Sequence, residues 1–154
     1  MTYARHTRVS VDKSRFEIEQ TLKRYGATKF SYGSDEDRGL AAIMFFAHDR
    51  HVRFVVTLPS IEDPRFRKCR GQASKQNAVE QLERSRWRAL LLCVKAKLEA
   101  VESEIESFEE AFLAHVVVPD GKTVAEWLKP QLQIAYDTGQ MPQSLLALPA
   151  PEDD

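Results

Sequence analysis

Arg65, Arg67, Lys68, Arg70 and Lys75 fall close together in the chain, and Arg84 and Arg88 follow one helical turn apart, with Arg86 and Trp87 between them. Guanidinium and ammonium groups at this density suit the holding of phosphates. Each one that meets a phosphate releases counterions, so the binding expected is salt-sensitive and independent of sequence. Lys29, His51 and Arg53, placed on the outward side of strands, would extend the same cationic surface. Phe66 is the one aromatic embedded in the basic stretch, which limits stacking on bases. The competing structural reading is that the stretch is merely solvated and that the helix arginines pair with acidic groups further along.

Those acidic groups are abundant. Residues 65–97 carry ten Lys/Arg against two Asp/Glu, whereas residues 98–154 carry two against twelve, so a net charge of only -1 hides a dipolar layout. A basic surface with acidic helices nearby fits a polyanion ligand, or a basic partner for the acidic half. Glu99, Glu102 and Glu106 stand at three- and four-residue spacing on one helix face, as solvated helix faces do, and are read as structural.

Other chemistry finds less support. His48 and His51 flank a turn without the further ligands zinc needs, and neither Cys69 nor Cys93 falls at a ligand spacing. Asp120 and Lys122 belong to a turn that Gly121 explains, and His6 and His115 have no recognisable partner. There is no G-x-S-x-G and no glycine-rich phosphate loop ahead of a helix. The expectation is therefore a non-catalytic protein without cofactor or metal.

The elements that must position the basic groups are legible from periodicity. Asp12 is expected to cap a helix carrying Ile18, Leu22 and Tyr25, stopped by Gly26. The period then changes to two. Phe30 and Tyr32 share a face, Leu40–Phe46 is apolar on both faces, and after a turn at His48–Arg50 the strand alternates Val52, Phe54, Val56 and Leu58 with polar neighbours. Pro64–Gln76 reads as a mobile basic loop. A long helix is expected over Asn77–Glu104, with Trp87, Leu91, Val94, Leu98, Val101 and Ile105 on one stripe widened by Leu90, Leu92 and Cys93.

Two capping boxes follow. Ser107 with Glu110 opens a helix through Ala114, and Thr123 with Glu126 opens another to about Tyr136. Between them, His115–Val118 is expected as a short strand ended by the Pro119, Asp120, Gly121 turn. Trp87 and Trp127 read as core or interface anchors. The fold class is α+β: a helix, a three-stranded antiparallel sheet, a long central helix and a small helical C-terminal part. Residues 1–142 form one expected domain, and residues 143–154 an acidic tail whose composition predicts disorder.

A hydrophobic fraction of 43% and a charged fraction of 29% fit an ordinary globular chain that can build its own core. No apolar stretch follows Arg5 and Arg8, so no secretory signal is expected, and Leu90–Val94 is far too short to span a bilayer. The expected place is the cytoplasm, with no membrane partner.

The run Arg86, Trp87, Arg88, Ala89, Leu90, continued by Lys95, Ala96, Lys97, Leu98, Glu99, Ala100, Val101, Glu102 and Ser103, resembles a family of small bacteriophage and prophage proteins of unknown function. The likeness includes Phe108–Leu113 with Ala114 and His115, the stretch Pro119–Val124, and upstream Ile18, Leu22, Arg24, Tyr25, Gly26 and Ala27, so it covers most of the chain. It implies a phage origin, hence a host cytoplasm, and a gene lying among replication and recombination functions. It carries no catalytic residue. Three partners follow as expectations: DNA or RNA on the basic segment, a host protein on the acidic helices, or a second copy joined through the long helix.

Overall fold

Ser10 opens the first helix, α1 (Val11–Arg24), with its Oγ accepting the Lys13 N–H at 3.2 Å. Ser10 is thus the cap expected of Asp12, which sits in the first turn and favours the positive helix end by its charge. The structure, a computed structural model, describes residues 4–141. The acidic tail expected over 143–154 lies outside them.

Three antiparallel strands follow in the order β1 (Thr28–Asp35), β2 (Leu40–Ala47) and β3 (Arg50–Thr57). His48 and Asp49 join β2 to β3 with φ of 49° and 60°, the two positive angles of the tight hairpin turn that matches strand twist. The register places Ile43 opposite Phe54 and Phe45 opposite Val52, which puts all four on one face. Against that face lie Ile18 and Leu22 of α1 and Trp87, Leu91, Val94 and Leu98 of α2 (Gln72–Glu102), all buried in one cluster. Each fully buried side chain of this size contributes about 1.5–3 kcal/mol. The structure is therefore α+β, with α1 and α2 covering one face of the sheet. The reverse face is less covered than the apolar run of β2 implies, since Met44 and Val55 remain 42% and 48% exposed.

Two boundaries differ from expectation. The long helix starts at Gln72 rather than Asn77, and Lys75 therefore sits on α2 and not in a loop. Few apolar residues in Gln72–Gln76 say only that this turn packs on little; extending an existing helix adds one hydrogen bond per residue fixed and needs no core of its own. At the other end α2 stops at Glu102, Ser103 caps it, and Glu104 adopts φ of 57°, so Ile105 falls beyond the stripe and is 76% exposed.

The C-terminal part is α3 (Phe108–Phe112), a 3-10 turn (Leu113–His115) and α4 (Val124–Thr138). Both capping boxes form, with Ser107 accepting from Glu110 N–H and Thr123 from Glu126 N–H. The strand expected over His115–Val118 reduces to single bridges, Val52 to Val116 and Val117 to Thr123, because His115 closes the 3-10 turn and Thr123 already begins the next helix. Phe112 is fully buried and meets Phe45 and Phe54 edge-on, which fixes α3 to the core. α4 buries none of its residues. Among the described residues no helix is long and apolar enough to cross a membrane.

Candidate functional site

Pro64 sets the geometry of the basic segment. Its fixed φ suits the first position of a 3-10 turn over Pro64–Phe66, and Asp63 caps that turn by accepting the Arg65 N–H at 2.9 Å. Phe66 is buried beneath the turn, and Cys69 N–H closes onto the Phe66 carbonyl at 3.0 Å. The expected mobile loop is thus a compact turn pinned by its one aromatic ring. With Phe66 inside, Arg65, Arg67, Lys68 and Arg70 are left on the surface.

The Arg65 guanidinium grips Asp63 with two bonds, Nε to Oδ1 at 3.0 Å and Nη2 to Oδ2 at 2.6 Å. These hydrogen bonds hold the Asp63 pKa down at about 2, so the pair is ionised throughout the physiological range. Arg86 reaches from α2 to donate to the Thr57 carbonyl, and its pKa is lowered first by burial and then by the Arg65 charge. Arginine starts so far above neutrality that both remain cations.

A cleft of about 950 Å³ opens beside this turn. Pro64, Phe66, Ala78 and Leu82 contribute apolar atoms to it, with Ser85 deeper in the wall. Arg65, Arg67 and Lys68 form one bank, and Arg5 and His6 of the N-terminal segment line the cleft with them. Gln81 fastens that segment to α2. Its side-chain amide donates to the carbonyls of Arg5 at 3.2 Å and Thr7 at 2.8 Å, while its Oε1 accepts from Arg84 at 2.7 Å. Arg84 consequently holds the cleft's frame and is absent from its lining. The positive end of α2, capped at Gly71 by no side chain, adds to the same field.

The basic residues singled out in the sequence separate into three groups. Arg65, Arg67 and Lys68 line the cleft; Arg70 and Lys75 follow them at the start of α2. Arg84 and Arg88 are occupied, Arg84 by Gln81 and Arg88 by Glu17 of α1 at 2.8 Å. Lys29 and Arg53 belong elsewhere. Arg53 pairs in register with Met44, on the sheet face turned away from the core, and Lys29 lies 4.6 Å over the Phe46 ring. Neither residue is part of the cleft lining; both belong to the outer face of the sheet.

Pairing with the acidic half occurs, though not where the helix arginines are. Arg53 meets Glu126 at 2.8 Å and Arg50 meets Glu109 at 3.0 Å. Arg5, His6 and Gln81 are the contributors that sequence reasoning missed. Gln81 and Arg5 stand 76 positions apart, and no local spacing announces such a contact.

The acidic end of α2 makes a smaller hollow of about 430 Å³ with Thr21, Arg24 and Tyr25 of the α1 end. There Tyr25 donates to Glu102 at 2.6 Å, and that hydrogen bond raises the phenol's pKa. His48 stacks on Phe108 and His51 lies tilted against Phe46, so each imidazole packs on a ring. Among the described residues no group of three or more His, Cys, Asp or Glu converges as metal ligands would. Of the two tryptophans, Trp87 is core and Trp127 is 44% exposed.

No family model, curated protein or solved structure matches this chain.

Proposed function

We propose that the chain is a non-catalytic accessory protein that binds nucleic acid without regard to sequence, and that the cleft beside the Pro64–Phe66 turn is its binding surface. The observation that carries this reading is the joining of Arg5 and His6 to Arg65, Arg67 and Lys68 around one cleft, from segments far apart in the chain. Neither Arg67, Lys68 nor Arg70 is used in an ion pair among the described residues, so their charge is available to phosphates. The arginines and the lysine that line the cleft supply positive charge, which suits retention of a phosphate strand. The likeness to phage proteins supports a setting among replication and recombination functions, by association.

The test is fluorescence anisotropy with labelled DNA and RNA at about 50 and 200 mM salt. Affinity should fall steeply with salt. Reversal of Arg67→Glu with Arg70→Glu should weaken binding about tenfold or more for every sequence tried, since each lost phosphate contact acts independently of the base. Equal binding by the reversed and wild-type proteins would sink the reading.

A second reading, interaction with a host protein, is favoured by α4. This helix leaves Trp127, Leu132, Ile134 and Tyr136 exposed, and the acidic residues Glu99, Glu102, Glu104 and Glu106 lie open at the end of α2 and beyond it. Of the stretch Leu90–Val94 expected to mediate self-association, Leu91 and Val94 are buried in this molecule's own core and Leu90 packs against it, which leaves half-buried Leu92 and exposed Cys93 to face a second copy.

A further inference from the structure

We infer that the cleft selects single strands, by taking an unpaired base against its apolar floor while the basic bank holds the neighbouring phosphates. The inference rests on the nucleic-acid reading above and goes one step beyond it. A surface meant only for the outside of a duplex needs cations and polar donors, because a duplex offers phosphates and the edges of stacked bases. This cleft has something more. Pro64, Phe66, Ala78 and Leu82 supply apolar atoms beside the charged groups, and the exposed surface within the cleft is predominantly apolar. Apolar floor is dehydrated with profit only by an apolar face, and among nucleic acids that face belongs to an unstacked base.

Size and layout agree with this occupant. A volume of about 950 Å³ lies within the range of small-ligand sites, roughly 300–1,000 Å³, and the cleft is open to solvent, as a site for part of a long strand must be. Phe66, only 6% exposed, is part of the floor and is not a free stacking platform. The exposed planar group in the lining is instead Arg65, whose guanidinium is held by both oxygens of Asp63. A guanidinium fixed in this way keeps its plane, and such planes stack on bases. Arg67 and Lys68 are then the phosphate contacts on the same bank. Arg5 and His6, held in place through Gln81, flank the strand from the N-terminal segment.

The experiment uses the full-length protein and four labelled probes of equal length: oligothymidine, oligouridine, the same deoxy strand with abasic sites throughout, and a mixed-sequence DNA duplex. Anisotropy is read at one low salt concentration. The expected result is that at least one of the two base-bearing single strands binds about tenfold tighter than both the duplex and the abasic strand. Ala78→Gln, a half-buried position where a longer side chain fills the floor, should erase that preference, so that the base-bearing strands bind no tighter than the abasic strand. Leu82→Gln serves as the second variant, with thermal melting confirming that each protein is folded. Equal affinity for base-bearing, abasic and duplex probes would overturn the base pocket and leave nucleic-acid binding standing. Tighter binding of the duplex would do the same. Failure of all four probes to bind would overturn both.

Discussion

Trp87 on α2 is wholly buried, whereas Trp127 on α4 is 44% exposed, and the contrast extends to the helices that carry them. α2 runs for 31 residues without a capping side chain at its start, yet its stripe of Trp87, Leu91, Val94 and Leu98 is enclosed by the sheet and α1. α4 is shorter, at 15 residues, and has both ends finished: a complete Thr123–Glu126 capping box and a Gly139 cap at φ of 67°. It also carries Pro130 within it, which removes one backbone donor. The helix with a buried stripe along its middle has no side-chain cap at its start, and the helix that buries none of its residues has a capping box at one end and a glycine stop at the other. Local hydrogen bonding and packing are separate sources of helix stability, and this protein separates them between two elements.

The contrast is open to direct attack. The largest effect is expected at Trp87→Ala, which should lose about 3–5 kcal/mol in urea unfolding because it empties a fully enclosed site, while Trp127→Ala should stay within about 0.5 kcal/mol. Similar losses at the two positions would show that α4 is covered in solution. Next comes Thr123→Ala, expected to cost about 1 kcal/mol of local stability. Hydrogen exchange should then rise over α4 while the amides of β2 and β3 keep their protection. Protection lost equally throughout would mean that α4 and the core unfold as one unit.

The smallest effect concerns the junction from which α4 departs. His115 stacks on Phe54 at 4.0 Å, and burial, with the Lys97 ammonium adding to it, lowers its pKa below the usual 6.5; a hydrogen bond with the Arg53 main chain works the other way. The unfolded chain therefore binds the proton more readily. The stability this neutral ring contributes is present above about pH 6.5 and is lost as pH falls toward the lowered folded value. His115→Phe, which retains an aromatic ring on Phe54, should show a shallower loss of urea midpoint between pH 7.5 and 5.5 than the wild type. Identical slopes would assign that pH dependence to other groups.

Much of the fold was legible because its signals are local. The change of period from helix to strand, the two capping boxes and the burial of Val52, Phe54 and Val56 follow from residues within a few positions of one another. Apolar content marks only the part of a helix that packs, which is why the expected start of α2 at Asn77 falls inside the observed helix, which begins at Gln72. The basic segment was visible as composition, but its division was not. Arg67 and Arg88 look equivalent in sequence, yet one borders an open cleft and the other is paired with Glu17 across the α1–α2 contact.

By itself the sequence determined the order of elements, the caps and the density of positive charge after Pro64, since each depends on neighbours along the chain. Only the tertiary structure decided which cations remain available, that Arg5 and His6 join Arg67 and Lys68, and that α4 buries none of its residues. The physical reason is one of range. A capping bond or a hydrophobic period closes within a turn or two, whereas the Gln81 contacts that assemble the cleft require the N-terminal segment and α2 to be brought together by folding.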